Sequence, residues 1–495
     1  MCRVQCRRSG RHHPLYGTGA IAVNFDRIQL NRRNLLKAAG AGLVAAGTAG
    51  CSSSVKPQEN PGIIGKDGKR VLPWSNWSGN QHCQPNERLV PRNEDELLNI
   101  LRNATQPIRS VGSGHSFSAL VPTDQTLLSL ARLRGVENID SDAMEADVWA
   151  GTRLSQIGDK LWEHGLSTIN MSDIDTQAFG GALATSTHGT GKELGTLSTH
   201  VKTLRIANAA GEMLECSASQ NADLFNAARN NLGALGVVTK ARIHADKAYY
   251  LKEHSWMMSE DEGLERAEEL RDAHRHYEMY ALPHSDYMLG IAIDKIDPSE
   301  IPADQPEPSG DAYEAFRMMS NLIDYMPFAR SWLVNFGAGG VEPETRYGKS
   351  HEIFGNLRDI RFNEMEYTVP AEVGPQCLRE ILQTIKKQNI PVIFPIEARY
   401  IKGDDVWLSP FYKRDGFAIS CHNFHDKDYK KYFAAIEPIF WKYDGRPHWG
   451  KIHTLKAAEF AARYERFNDF LRVRKEMDPQ GLFLNDHLRS TLGIS

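Results

Sequence analysis

The sequence predicts an α+β protein of two domains, and three observations carry that reading. Its 495 residues exceed what a single hydrophobic core usually serves. From Val90 to His244, short strand-like runs alternate with amphipathic helical ones. After Tyr249 the character shifts to longer charged helical segments interleaved with strands. With 41% hydrophobic and 24% charged residues, a core of ordinary size forms without a disulfide framework. The 58 basic and 62 acidic residues are well mixed, and no basic stripe with interleaved aromatics supports a nucleic-acid partner.

The first fifty residues read as an address rather than as structure. Asn31-Arg32-Arg33-Asn34-Leu35-Leu36-Lys37 is a twin-arginine signature, followed by a small-residue apolar run from Ala38 to Gly50. That run is too short to span a bilayer. Thr48-Ala49-Gly50-Cys51 ends it as a lipoprotein cleavage box does, with Cys51 the residue to carry lipid. Residues 1–51 are therefore expected to be an export signal, making the protein periplasmic or membrane-anchored through Cys51. A plain amphipathic or disordered N-terminus is the bland alternative. The order of paired arginine, apolar run and small-residue boundary argues against it. A tether is expected over 52–72, opening with the Ser- and Pro-containing stretch Ser52 to Pro61.

The expected first domain covers 73–246. Glu94–Asn103 has helical spacing and an acidic first turn, and Pro107–Val111 is a short strand. Further strands fall at Thr126–Leu130 and Met144–Ala150, and Leu154–His164 is an amphipathic helix. A glycine-rich, β-poor segment runs from Phe179 to Gly191. Leu204–Asn208 pairs with Met213–Cys216 across an Ala-Ala-Gly turn, Ala222–Asn230 is helical, and Val237–His244 closes the domain as a strand. The second domain is expected over 247–495. Its helices are Asp261–Arg275 and Pro375–Gln388, and its strands Met279–Leu282, Met288–Asp294, Asn363–Val369 and Ile393–Tyr400. Ile296–Gly310 reads as a surface loop. Cys83, Cys216, Cys377 and Cys421 lack metal-ligand spacing and are expected to be buried free thiols.

Two segments share one peculiarity, backbone made accessible. The first is Arg109-Ser110-Val111-Gly112-Ser113-Gly114-His115-Ser116-Phe117-Ser118, where amides of a tight Gly-Ser-Gly turn can approach a pyrophosphate closely. It is not the dinucleotide fingerprint, and a plain strand-to-loop turn has the same pattern. The second is Phe179-Gly180-Gly181-Ala182-Leu183-Ala184-Thr185-Ser186-Thr187-His188-Gly189-Thr190-Gly191, suited to lie as a wall against a flat ligand, or else a flexible loop. Glu397 and Arg399 stand two apart on an expected strand and so share a face, where they could bind a polyol. A structural ion pair satisfies that spacing equally.

With Asn76-Trp77-Ser78-Gly79-Asn80, Thr187-His188-Gly189-Thr190-Gly191, Glu397-Ala398-Arg399, His448-Trp449-Gly450-Lys451 and Asn485-Asp486-His487-Leu488-Arg489 in that order, the chain resembles the vanillyl-alcohol-oxidase-type (PCMH-type) flavoproteins. The likeness is to the branch of aldonolactone oxidases, galactonolactone dehydrogenases and alditol oxidase, from about Trp74 to Leu492. It implies a two-subdomain FAD-binding domain, then an α+β substrate (cap) domain whose C-terminal segment returns to the flavin. FAD is implied to be covalent through His115. The resemblance sets the cofactor against Ser110, Val111, Gly112, Ser113, Gly114, His115 and Ser116, against Ser172, Asp173, Ala178, Gly181, Thr185, Ser186, Thr187 and His188, and against Val238. It assigns Glu397, Arg399, Lys451 and His422 to the reaction, with His425 an alternative match for His422.

The implied reaction is oxidation of a sugar-derived alcohol, foremost a sugar-1,4-lactone, with hydride transferred to the flavin. Ser172 aligns with the position governing oxygen access, and a serine there leaves oxygen, a quinone or a cytochrome open as acceptor. Two other readings stand beside this one: an alditol or oligosaccharide oxidase on the same fold, and a non-catalytic sugar-binding lipoprotein.

Overall fold

Three sheets carry the architecture, in a computed structural model that describes residues 63–64, 70–71, 73–304, 313–355 and 360–495. The twin-arginine signature, the apolar run, Cys51 and the stretch Ser52 to Pro61 lie outside the described residues. A three-stranded parallel sheet has Thr126–Ser129 at its centre, flanked by Glu87–Leu89 and Ile108–Val111. Helix Glu94–Arg102 makes the crossover. The Asn93 side chain accepts from the Glu96 amide at its N-terminus, three acidic residues occupy its first turn, and Leu97 and Leu101 are buried.

A five-stranded antiparallel sheet follows, ordered Met213–Ser217, Val201–Ala207, Val237–His244, Glu145–Trp149 and Val136–Asp140. The hairpin expected across the Ala-Ala-Gly turn is present, with Leu204 opposite Cys216. The glycine-rich segment expected to be β-poor from Phe179 contains no strand and opens with the helix Phe179–Ala184. Close packing accompanies it: Ala182 and Leu183 are fully buried, and a Cβ on Gly180 would stand 2.8 Å from the Cβ of Ala150, just past the strand Glu145–Trp149.

The second half forms an eight-stranded antiparallel sheet. Its order is Glu344–Lys349, Tyr250–Ser259, Tyr287–Ile296, His276–Ala281, Ile396–Ile401, Gly416–Phe424, Phe362–Pro370 and Arg446–Pro447. The strand expected from Ile393 begins only at Ile396, directly after Pro395, which has no amide to donate to a ladder. The single helix expected over Asp261–Arg275 is two, Glu260–Glu265 and Ala267–Ala273, divided at Arg266. Helix Gly374–Lys387 covers the sheet with Cys377, Leu378, Ile381, Leu382 and Ile385. Cys216, Cys377 and Cys421 are buried as expected, whereas Cys83 is only half-buried, on the short strand His82–Cys83.

One hydrophobic cluster runs through both halves, from Phe117 and Val148 to Met279 and Ile396. The C-terminal segment closes the join. Ile108 donates its amide to the Leu482 carbonyl, the Arg109 guanidinium donates to the Phe483 carbonyl, and the Asn485 amide group donates to the carbonyls of Ala119 and Pro122.

Candidate active site

Sheet register builds the floor of the site. Tyr280, Glu397, Ser420 and Glu366 stand directly opposite one another across four adjacent strands of the eight-stranded sheet. Cross-strand partners share a face, and so do residues two apart on a strand, so Arg399, His422 and Glu364 join them. All seven are buried. The result is a polar patch inside an otherwise apolar sheet, with every charge answered by a neighbour.

Glu366 is its hub. One carboxylate oxygen lies 2.8 Å from His188 Nε2; the other accepts from Arg399 Nη2 at 3.2 Å and from Ser420 Oγ at 2.6 Å. Burial pushes this carboxyl up, but its contact with His188, with the Lys451 ammonium behind it, overcomes burial and holds it well below the usual carboxylate range. Glu364 behaves alike: burial raises it, and Lys451 and His422 pull it lower. Lys451 donates to Glu364, and its ammonium sits 5.2 Å from the centre of the Phe117 ring. Glu397 accepts from the Tyr280 hydroxyl at 2.9 Å and faces Arg399 at 3.5 Å. His422 donates from Nδ1 to the Pro395 carbonyl, which turns Nε2 toward Glu364 at 3.6 Å. Burial depresses His448 to about 3, so its ring is neutral near pH 7.

The glycine-rich turn meets this floor from the other domain. Gly114 takes a φ of +73°, a conformation that side chains resist, and so places His115 over the cavity. Thr176 Oγ1 lies 3.0 Å from His115 Nε2, and the Trp77 ring covers the imidazole at 5.2 Å. Amides of Phe117 and Ser118 donate to the Gly450 carbonyl, and Ser118 Oγ donates to the Trp449 carbonyl. The loop carrying Lys451 is thus tied to the turn carrying His115.

A cavity lies between them. Its walls include Gly114, His115, Ser116, Ser172, Asp173, Ala178, Gly181, Thr185, Thr187, His188, Glu397, Arg399, His422 and Lys451, all expected from sequence. A second cavity adjoins it through Ser116, Val121, Gly181 and Thr185, and takes in Ser110, Val111 and Val238. Gly112, Ser113 and Ser186 line neither. Gly112 and Ser113 are exposed, and Ser113 Oγ is turned to the Thr176 carbonyl. Ser186 is fully buried with a φ of +58°. Glu364, Glu366, His448 and Thr176 went unrecognised in the sequence. Glu364 and Glu366 share the two-residue spacing of Glu397 and Arg399, a usable signal.

A profile of an FAD-binding domain matches residues 85–217, and one described as D-arabinono-1,4-lactone oxidase matches 241–491. The L-gulono-1,4-lactone dehydrogenase of Mycobacterium tuberculosis is 33% identical over 85% of this chain and 99% of its own. The chain belongs to the D-arabinono-1,4-lactone oxidase family. The L-gulonolactone oxidase of Mus musculus is 28% identical over 85% of this chain and 98% of its own, and the alditol oxidase of a Streptomyces species 27% over 84% and 98%. Among solved structures, a solvent-stable cholesterol oxidase superposes with a TM-score of 0.69 at 16% identity, covering 86% of this chain and 97% of its own. That likeness shows the PCMH-type fold. Members of this family are FAD-linked oxidoreductases, and this chain is one.

The residues present fit the cofactor. Ser110 Oγ and His115 Nδ1 are buried with no hydrogen-bond partner among the described residues, and each belongs to a residue on a cavity wall. A Cβ on Gly181 would meet nothing within 4 Å; it would project into open space where the two cavities join. The second cavity, lined by backbone-rich stretches at Gly180–Gly181 and Asn231–Gly233, would hold the adenosine end and the diphosphate. The first would hold the ring and the substrate.

Proposed function

We propose that this protein oxidises a secondary alcohol of a sugar-1,4-lactone, using FAD joined covalently to His115. The observation that carries the reading is the convergence of Glu397, Arg399, Glu366, Glu364 and Lys451 on the cavity wall facing His115. When bound, FAD supplies a two-electron acceptor beside that polar floor. Glu364 and Glu366 stay ionised and hold Lys451 and Arg399 in fixed orientations. Arg399 Nε has no hydrogen-bond partner among the described residues, which leaves a donor for a substrate oxygen. Glu397 accepts the proton of the reacting hydroxyl, while Arg399 and Lys451 stabilise the negative charge developing on that oxygen. A neutral His448 adds no further cation to the wall.

His115 is suited to the covalent bond. Thr176 engages Nε2 while Nδ1 has no partner among the described residues; in the tautomer whose Nε2–H donates to the Thr176 hydroxyl, the Nδ1 lone pair is left for the bond. Burial, then Lys451 and Arg153, depresses the imidazole to about 4 and keeps it neutral. Acid precipitation of the holoenzyme is expected to give a yellow pellet, and of His115→Ala a colourless one. A colourless wild-type pellet rules out the bond.

Anaerobic mixing with L-gulono-, L-galactono- and D-arabinono-1,4-lactone, and with alditols as a parallel series, tests the substrate. Rapid bleaching of the flavin absorbance is expected with a lactone. Bleaching by alditols alone moves the reading to a polyol oxidase, and no bleaching by either series removes it. The acceptor is oxygen, a quinone or a cytochrome, distinguished by which of them restores the absorbance. Arg32-Arg33 and Cys51 support export by the twin-arginine route and a lipid anchor. Retention of an Arg32→Lys, Arg33→Lys variant in the cytoplasm tests the route.

A further inference from the structure

Of the eight large apolar side chains exposed among the described residues, six lie between Met318 and Phe336. They belong to one hairpin: helix Tyr313–Tyr325, a short 3-10 turn at Pro327–Ala329, and helix Arg330–Ala338. The first helix carries two apolar stripes. Phe316, Met319 and Ile323 point inward, where Phe316 packs on Phe394 and Phe424. Met318, Leu322 and Tyr325 form the opposite stripe, in water. On the second helix Leu333 and Val334 are buried, while Trp332 and Phe336 are exposed and stacked at 5.6 Å. A helix apolar on both sides is stable where both sides are covered.

We infer that this hairpin seats in the apolar boundary of a lipid bilayer. The shape favours lipid over a protein partner or a second copy. Exposure peaks at the turn, with Tyr325 at 86% and Phe328 at 85%, so the apolar groups stand out as a protruding tip rather than lining a groove. Charge favours it as well. The only ionised side chain exposed from Met318 to Phe336 is Asp324, and Lys427 neutralises it. Arg317, beside the face, is paired with Asp426, and Arg330 is buried. Such a face complements hydrocarbon and offers nothing to an ionic partner. Neither helix is long and apolar enough to cross a membrane, so the hairpin lies in the interface.

The test uses full-length holoenzyme carrying Cys51→Ala, so that no N-terminal lipid contributes, with and without Phe328→Ser plus Trp332→Ser. Both are sedimented with phosphatidylcholine vesicles and with phosphatidylethanolamine–phosphatidylglycerol vesicles. Binding to both vesicle types that survives high salt, and that drops at least about tenfold in the serine variant, is expected. Flavin reduction by lactone should be the same in the two proteins, because neither residue lines the cavity. Equal binding by both proteins, or no binding by either, overturns the inference without touching the substrate reading. Concentration-dependent self-association that the serine changes abolish, with no vesicle binding, overturns it in favour of a second copy.

Discussion

At the scale of single residues, Glu366 decides how the two domains act together. Its carboxylate contacts both His188, within the region that the FAD-binding profile matches, and Arg399, within the region that the D-arabinono-1,4-lactone oxidase profile matches. Glu366→Gln keeps the shape and removes the charge, leaving two buried cationic or polar partners without their anion. The expected result is a fall in kcat of about a hundredfold or more with flavin content unchanged. An effect confined to thermal stability, with kcat intact, would make Glu366 a structural group only. Arg399 is a poor candidate for a lysine exchange, since its guanidinium divides between Glu366 and Glu397 and an ammonium cannot keep both directions.

At the scale of elements, the helix Phe179–Ala184 and the end of the glycine-rich turn, Gly114 to Ser116, stand on the walls of the slot. Both were visible in the sequence as runs of small residues, because a backbone that must approach a ligand excludes side chains locally. The helical start of the second run was not legible, since its Gly-Gly pair disfavours a helix and only packing on Ala150 makes up for it. Gly181→Val puts a branched side chain into the slot without meeting protein atoms at its Cβ. Folding and thermal midpoint are expected to survive in the apoprotein, while the ratio of flavin to protein absorbance falls severalfold. Full flavin loading in this variant would place the cofactor elsewhere.

At the scale of the whole molecule, buried histidines set the response to acid. Burial holds His200 and His487 at about 4, and His276, His448 and His453 at about 3, against 6.5 for an ordinary imidazole. Between those values the unfolded chain binds more protons than the fold, so this contribution is complete above about 6.5 and is lost as pH falls toward 3. Glu364 and Glu366, lowered in the fold, add loss in the same direction below the ordinary carboxylate range. Asp404 opposes them: burial outweighs its bonds from Ser409 and Val406, raises it to about 6, and favours the fold as it takes a proton. With His115, also depressed to about 4, six imidazoles outweigh the raised carboxyls Asp404 and Asp175. The thermal midpoint of the apoprotein is expected to fall steadily from pH 7 to pH 5, measured by circular dichroism. A midpoint that is flat or rises over that range would contradict the burial of these rings.

What the amino-acid order determined alone was local: strand and helix periodicity, the glycine-opened turn ending in His115, and the shared face of Glu397 and Arg399. Each depends on neighbours a few residues away, whose geometry the covalent chain sets directly. Pairings across the chain were decided only by the tertiary structure. Glu366 and His188 are 178 positions apart, and Thr176 and His115 are 61 apart. Nothing in either segment specifies the other. Sheet register places Glu364 and Glu366 on the face that holds Glu397, and the closure of the C-terminal segment on Arg109 joins that face to the turn. A buried charge is stable only where an opposite charge meets it, and that meeting requires the whole fold.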